Sequence, residues 1–165
     1  MGLDQFLYLE KYESTMKWDD NFVEKSKDFY PAELKEIVDW MGNHDFLSKT
    51  TQYKVGYWRK VNAIHRWFVE KFADGVDECQ DIYVDKDDLK ELISICRKII
   101  AKPALADELL PTQPGFFFGS TEYDEWYFKD LEYTVEMLEP VVKFLEEEKK
   151  RDPRSYWSVV YNASW

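Results

Sequence analysis

Apolar residues recur at helical spacing in several parts of this chain. Leu34, Ile37 and Val38 follow Pro31, a residue that suits the first position of a helix, and they predict a helix over residues 31–41. Residues 86–101 show the same spacing, with Asp85 in front as an N-cap residue and Pro103 behind as a stop.

Two further helices are predicted in the centre and in the C-terminal third. The central one covers residues 58–73 and ends before Gly75. The longer one covers residues 122–149, with Ser120 and Thr121 as N-cap residues. Pro140 is expected to kink this long helix, because proline removes one backbone donor and crowds the preceding turn.

Alternating or wholly apolar runs between the helices predict short strands. The runs at the two ends of the chain, residues 4–10 and 155–165, are the clearest, and residues 4–10 are apolar on both faces. The remaining candidates are residues 50–57, 82–84 and 115–119, whereas residues 13–29 are predicted to be an irregular loop. The pattern predicts a single α+β domain over residues 1–165, with about four helices packed on a small sheet formed by N-terminal, central and C-terminal strands.

Composition supports a folded domain without a membrane span. The chain has 165 residues, of which 18% are aromatic, and large rings bury much apolar area. It opens without the pattern of a signal peptide and has no apolar run of membrane-spanning length, which predicts a cytoplasmic protein. Cys79 and Cys96 are expected to be reduced thiols, with one disulfide as the alternative.

Charge is unevenly distributed along the chain. The net charge is −11, and residues 1–50 and 111–165 each hold 11 acidic and 6 basic residues, whereas residues 51–110 hold 11 and 10. The overall charge disfavours binding to nucleic acid. Binding of a small anion by the nearly neutral segment 51–110 remains compatible with the net charge.

The familiar catalytic and cofactor motifs are missing. The sequence has no GxxxxGK[ST], GxGxxG, GxSxG, HExxH or CxxC pattern, and it has only two histidines. No cofactor and no metal centre is predicted. A magnesium or calcium site built from carboxylates alone stays open, although no acidic cluster has a recognised loop spacing.

The most informative stretch is Val55–Phe68, where basic and aromatic residues alternate. On the predicted helix, Arg59, Asn62 and Arg66 line an edge between core and solvent, where they can present two guanidinium groups and an amide to an anion. The alternative is that both arginines pair with surface acids. Trp58 and His65 share the apolar face, so His65 is either a buried, hydrogen-bonded histidine or a ligand contact.

A second candidate is the turn that precedes the long helix. Ser120 and Thr121 place free backbone N–H groups at a helix start, an arrangement that binds phosphates and carboxylates. Capping alone also explains these residues. Glu122 suits a hydroxyl or amino group of a ligand, and Tyr123 is a candidate for stacking on a base, as is Trp58.

Four segments resemble a group of small proteins encoded by tailed phages and prophages. These are Met1–Asp4, the YWRKxNxIH segment at Tyr57–His65, the LPTQxGFFFGSTEY segment at Leu110–Tyr123, and the final Ser164-Trp165. The resemblance implies expression in the cytoplasm of an infected bacterium and, by association, a role in countering host defences.

Three functions follow as hypotheses from these observations. The leading one is a pocket between the 58–73 helix and the 119–123 turn that binds a small anionic or nucleotide-like molecule, such as a host immune signal. The second is an inhibitor whose acidic outer faces block a basic host protein, in the manner of a DNA mimic. The third is a small enzyme with His65 as general base and Glu122 or Asp124 as acid. The oligomeric state stays open.

Overall fold

The structure is a computed structural model that describes residues 2–24, 29–40 and 47–165. Its centre is a four-stranded antiparallel sheet in the order β2-β1-β4-β3. The N-terminal and C-terminal strands therefore lie side by side, as the pattern predicted. The strands are β1 (Asp4–Ser14), β2 (Ser48–Arg59), β3 (Ile82–Val84) and β4 (Trp157–Ser164).

Within the described residues, five α-helices complete the α+β domain, and three of them, the second, third and fifth along the chain, form the helical layer. α3 has the predicted bounds, and the backbone N–H of its N-cap residue Asp85 donates to Asp88 Oδ2 at 2.9 Å. The predicted fold class is confirmed. The helices are α1 (Lys35–Trp40), α2 (Asn62–Phe72), α3 (Lys86–Ala101), α4 (Ala106–Leu109) and α5 (Glu125–Arg151).

The predicted helix over 58–73 is wrong at its start. Trp58 and Arg59 belong to β2, because the pairing with β1 continues to the register Asp4↔Arg59. Lys60 then adopts φ 61°, which ends the strand and turns the chain into α2. Trp58 and Arg59 are therefore not on the same helix as Asn62 and Arg66.

Several other predicted boundaries also differ from the structure. In place of the predicted 31–41 helix, a short 3-10 turn, Ala32–Leu34, is followed by α1. Ile37 of α1 is exposed. The predicted end of this helix, residue 41, lies outside the described residues. Residues 115–119 form a turn and not a strand. β2 is longer than 50–57, and β1 extends to Ser14, because the two strands pair from Asp4↔Arg59 to Ser14↔Ser48, with one irregularity that leaves Val55 without a partner on β1. α5 begins at Glu125 because Asp124, not Ser120 or Thr121, caps it, and it runs through Pro140 to Arg151.

The helices cover one face of the sheet. On that face the rings of Phe68 and Tyr161 stack with centroids 4.0 Å apart, and Trp58 packs edge-on against Phe68. The opposite face was expected to be covered as well, yet Phe6 and Tyr8 are only half-buried there. The core is therefore the single layer between the sheet and α2, α3 and α5.

Neither cysteine forms a disulfide, and no described helix has the length and apolar character that crossing a membrane requires. Cys96 is fully buried on α3, and burial raises the pKa of its thiol to about 12, which keeps it unreactive. Cys79 is exposed.

Two backbone segments approach each other closely where β2 ends. Gly119 has φ 91°, and a Cβ atom at this position would lie 3.1 Å from Lys60 Cβ and 3.2 Å from the Lys60 carbonyl oxygen. Lys60 itself has a positive φ. This contact sets the distance between the end of β2 and the segment that precedes α5.

Gly119→Ala is expected to destabilise the protein by about 1–3 kcal/mol, because alanine disfavours a positive φ and its methyl group would meet Lys60 backbone atoms. Lys60→Gly is the matched control, and it is expected to be neutral or stabilising, since glycine relieves the left-handed conformation. Urea unfolding of both variants measures the difference. An equal loss of stability in the two variants would contradict this account of the contact.

Candidate functional site

The close approach of Lys60 and Gly119 forms the floor of a cleft of about 300 Å³. One wall is the end of β2 and the first turn of α2, and the other is the segment before α5 together with the first turns of α5. Four of the predicted site residues line this cleft: Arg59, Asn62, Ser120 and Glu122.

The side chain of Asn62 joins the two walls. It is 3% exposed, and its Nδ2 donates to the carbonyl oxygens of Phe118 at 3.0 Å and Ser120 at 2.8 Å. Its Oδ1 accepts the backbone N–H of Gln113 at 2.9 Å. The amide uses both of its donors and its acceptor in holding the loop, so Asn62 positions the cleft and is not free to contact a ligand through its amide.

Three other predicted site residues lie outside the cleft. Arg66 donates to Glu70 at 2.7 Å and to the Thr112 carbonyl oxygen at 3.2 Å, as the surface-pairing alternative expected. Thr121 is exposed, and its carbonyl oxygen accepts the Thr112 hydroxyl. The Tyr123 hydroxyl donates to Asp107 Oδ1 at 2.9 Å, which places this ring away from the cleft lining.

Trp58 is a core residue. Its indole is 1% exposed, and its Nε1–H donates to the Thr134 hydroxyl of α5 at 2.9 Å. The Thr134 hydroxyl in turn donates to the Asp130 carbonyl oxygen. This buried link between β2 and α5 leaves no face of Trp58 for stacking on a ligand.

His65 belongs to a buried hydrogen-bonded chain and does not line the cleft. Its Nε2 lies 2.8 Å from Asp77 Oδ2 and its Nδ1 lies 2.7 Å from the Tyr161 hydroxyl oxygen, which is 3.1 Å from Gln5 Oε1. The ring is 1% exposed and lies edge-on to Phe118.

The Tyr161 hydroxyl has a single proton, so it donates either to Gln5 or to His65. If it donates to Gln5 Oε1, both His65 nitrogens are donors and the ring is an imidazolium facing the Asp77 carboxylate. If it donates to His65 Nδ1, the ring is neutral. The Gln5 amide must then be flipped by 180°, so that its Nε2, which otherwise has no partner, donates to the Tyr161 hydroxyl oxygen. In both arrangements each ring nitrogen is occupied, so His65 is not placed to act as a base on a bound molecule.

The basic wall of the cleft combines two side chains with a helix start. Arg59 is largely exposed and lies 3.9 Å from Asp4, its only described carboxylate partner. Lys60 follows it, and the N-cap residue of α2 is Val61, which has no side-chain acceptor for the free N–H groups of the first turn. Positive charge and unsatisfied backbone donors therefore face the cleft together.

The opposite wall is acidic, and of its three carboxyl groups the sequence pattern pointed to Glu122 and Asp124 but not to Asp130. Asp124 caps α5, accepting from the backbone N–H groups of Trp126 and Tyr127. Asp130 lies almost two turns further along α5, where burial and the nearby Asp124 carboxylate raise the pKa of its carboxyl to about 6. Together with Glu122, they place three carboxyl groups along this side.

Trp126 also lines the cleft, and its side chain is 70% exposed. The Lys129 ammonium lies 4.8 Å from the centroid of its ring. The i, i+4 spacing of Trp126 and Asp130 is visible in the sequence. It shows that they share a helix face, but not that this face turns towards Arg59. Among the polar residues that line the cleft, the sequence pattern did not point to Lys60, Thr112 or Asp130, and it pointed to Asp124 only as an acid of the enzyme hypothesis.

The described residues contain no group of three or more histidine, cysteine, aspartate or glutamate side chains that is placed to hold a metal ion. Comparison with known proteins found no match among protein-family models, curated proteins or solved structures. The function must therefore be argued from the geometry of the site.

Asn62→Ala is expected to lower the free energy of unfolding by about 2–4 kcal/mol, because it leaves the buried Phe118 carbonyl group and the partly buried Ser120 carbonyl and Gln113 N–H groups without partners. Asn62→Asp is expected to be at least as destabilising above neutral pH, since a carboxylate cannot donate to the Phe118 and Ser120 carbonyl oxygens. Ser120→Ala is the control, with a loss below about 1 kcal/mol, because the Ser120 hydroxyl accepts only the exposed Glu122 N–H. Urea unfolding separates these outcomes, and a loss for Asn62→Ala no larger than the control would contradict the role of the amide.

Asp130→Asn is expected to raise the melting temperature at pH 7.5, and the gain is expected to shrink as the pH falls. The pKa of Asp130 is about 6 in the folded protein and lies above its ordinary value of 3.8. The ionised carboxyl therefore opposes folding above pH 6, and this penalty disappears as the folded protein takes up the proton between pH 6 and about 4.

Glu132→Gln is the matched control, because it removes one negative charge from an exposed position of α5. Thermal unfolding of both variants between pH 4 and 7.5 tests the effect. The expectation fails if the two variants show the same dependence on pH.

Proposed function

We propose that the protein binds a small nucleotide-like anion in the cleft between the end of β2 and the start of α5. The observation that carries this proposal is the opposition of its walls. The cleft has a volume of about 300 Å³. On one side it is lined by Arg59, Lys60 and the uncapped N-terminus of α2, and on the other by Glu122, Asp124 and Asp130.

The basic wall suits a phosphate group. Guanidinium and ammonium donors form charge-assisted hydrogen bonds with phosphate oxygens, and the free N–H groups of a helix start point in the same direction. The sequence pattern predicted this role for Arg59, Asn62 and Arg66. In the structure Arg66 lies outside the cleft, so the proposed phosphate contacts are Arg59, Lys60 and the backbone N–H groups of the first turn of α2.

The acidic wall suits hydrogen-bond donors at the other end of the same molecule. Ionised carboxylates only accept hydrogen bonds, so Glu122 and Asp130 match hydroxyl or amino groups such as those of a ribose or a base. Trp126 replaces Trp58 and Tyr123 as the ring on which a base stacks. A ligand that carries phosphate at one end and hydroxyl or amino groups at the other satisfies both walls, whereas inorganic phosphate satisfies only one.

In the phage setting that the sequence resemblance implies, the proposed role is sequestration of a nucleotide immune signal of the bacterial host. Such a function requires binding without turnover. His65 is the only described imidazole, and both of its ring nitrogens are hydrogen-bonded, to Asp77 and Tyr161. This supports a binding role over the enzyme hypothesis, in which His65 is the general base.

The acidic inhibitor is the weaker proposal. Several glutamates of α5 are already paired with cations of the same chain, including Glu139 with Arg97 and Glu146 with Lys90. Internal pairing of this kind reduces the unbroken negative surface that a mimic of DNA needs. Salt-sensitive capture of a basic host protein by the purified chain would favour the inhibitor.

A panel of adenosine monophosphate, cyclic dinucleotides, ADP-ribose and inorganic phosphate tests the ligand class by thermal shift and calorimetry. We expect at least one nucleotide to bind more tightly than inorganic phosphate. Arg59→Gln and Lys60→Gln are expected to weaken that binding about tenfold or more, as the loss of a charge-assisted contact predicts.

Arg66→Gln is the matched control for these variants, because it removes the same charge from a position outside the cleft and is expected to leave the affinity unchanged. Asp130→Asn should also change the pH dependence of binding near pH 6. If no nucleotide binds, or if Arg66→Gln weakens binding as much as Arg59→Gln does, the proposal is wrong.

A further inference from the structure

A second surface lies beside the open edge of the sheet. β2 is one of the two edge strands, and it pairs only with β1 within the part of the chain that the structure describes. Its other edge carries the backbone N–H and C=O groups that a further strand would use. This surface shares no lining residue with the cleft, so the inference is independent of the proposed function.

The open edge is limited at one end by α5. The Tyr133 hydroxyl donates to the Tyr57 carbonyl oxygen at 3.0 Å, and Met137 packs against Gly56, where a Cβ atom would lie 2.7 Å from the methionine sulfur. Helix α5 thus covers β2 near Tyr57. On the Ser48–Val55 side, no described segment other than β1 makes a backbone hydrogen bond to β2.

An apolar groove of about 640 Å³ adjoins this free part of the edge. Tyr53 and Val55 of β2 lie at its mouth, and Leu9 and Trp157 continue its floor across the sheet. The Tyr53 and Trp157 rings are 6.0 Å apart. Glu136 is its only charged lining residue, and α5 supplies the second wall with Met137, Pro140, Val141 and Phe144.

We infer that this surface binds an extended segment of a partner protein, which adds a fifth strand beside β2 and inserts alternate apolar side chains into the groove. Side chains of a strand point to opposite faces of the sheet in turn, so every second residue of an added strand lies on the face that carries the groove. The free edge supplies main-chain hydrogen bonds, and the groove supplies selectivity for apolar side chains.

The charges of β2 indicate which polar residues the partner segment carries between its apolar ones. The strand contains Lys49, Lys54 and Arg59 and no acidic residue. Lys54 is exposed on the face opposite the groove, where its ammonium lies 4.7 Å from the Phe6 ring centroid. An acidic residue in the outward-facing positions of the segment complements Lys54. A second copy of β2 would instead bring like charges together, which opposes pairing of two copies of this chain.

The test uses the full-length protein labelled with ¹⁵N and a blocked peptide of alternating valine and glutamate, about six residues long, the usual length of a strand. We expect chemical-shift changes at the backbone amides of Thr51, Tyr53 and Val55. Methylation of alternate peptide nitrogens that face β2 should weaken binding about tenfold or more, because it removes the main-chain donors. A peptide of alternating valine and lysine should bind several-fold more weakly than the glutamate peptide.

Lys54→Glu should reverse the preference between the two peptides, whereas Lys143→Glu, an equal charge change on α5, should leave it unchanged. The inference is overturned if neither peptide shifts these amides. It is also overturned if the methylated peptide binds equally well, which would show a groove that accepts apolar groups alone. Concentration-dependent shifts of the same amides without peptide would assign the edge to a second copy of the chain, and would overturn it as well.

Discussion

Three hydrogen bonds of the Asn62 side chain hold the candidate cleft together. They connect the first turn of α2 to the Phe118 and Ser120 carbonyl oxygens and to the Gln113 N–H, which all belong to a segment without regular secondary structure. Buried backbone groups of such a segment need partners, and neither a strand nor a helix supplies them here. This amide therefore fixes the distance between the two cleft walls, together with the Arg66 hydrogen bond to the Thr112 carbonyl oxygen and the backbone hydrogen bond from Leu3 to Phe117.

The electrostatics of the cleft follow from that geometry. Arg59 ends a strand, Lys60 adopts a left-handed conformation, and α2 begins directly afterwards, so positive groups and free helix N–H groups accumulate at one point. The start of α5 brings carboxyl groups to the other side, one of them Asp130, for which burial makes ionisation unfavourable. Opposite charges held apart in this way can each be satisfied by different ends of a ligand.

Periodicity predicted the regular elements well where side chains decide the structure. The apolar stripe and flanking Asp85 and Pro103 located α3, and the alternating C-terminal run located β4. Periodicity failed where pairing with a distant strand decides the structure. Trp58 and Arg59 continue a helical pattern by residue type, yet the register with Asp4 and Gln5 draws them into β2. The predicted helical edge of Arg59, Asn62 and Arg66 was wrong for this reason. The Leu34 and Ile37 stripe likewise lies on an exposed helix, because a pattern shows which side chains share a face but not what covers it.

The place of β1 in the sheet has a consequence for how the chain folds. This strand is near the N-terminus but lies second in the sheet, between β2 and β4, and its partner Ser164 is 160 positions further along the chain than Asp4. During translation β1 can pair with β2 early, but its other edge stays unpaired until β4 leaves the ribosome. Contacts between such distant segments slow folding and prolong the exposure of unpaired strand edges. Synthesis of β4 is therefore the event that permits the sheet to close around β1.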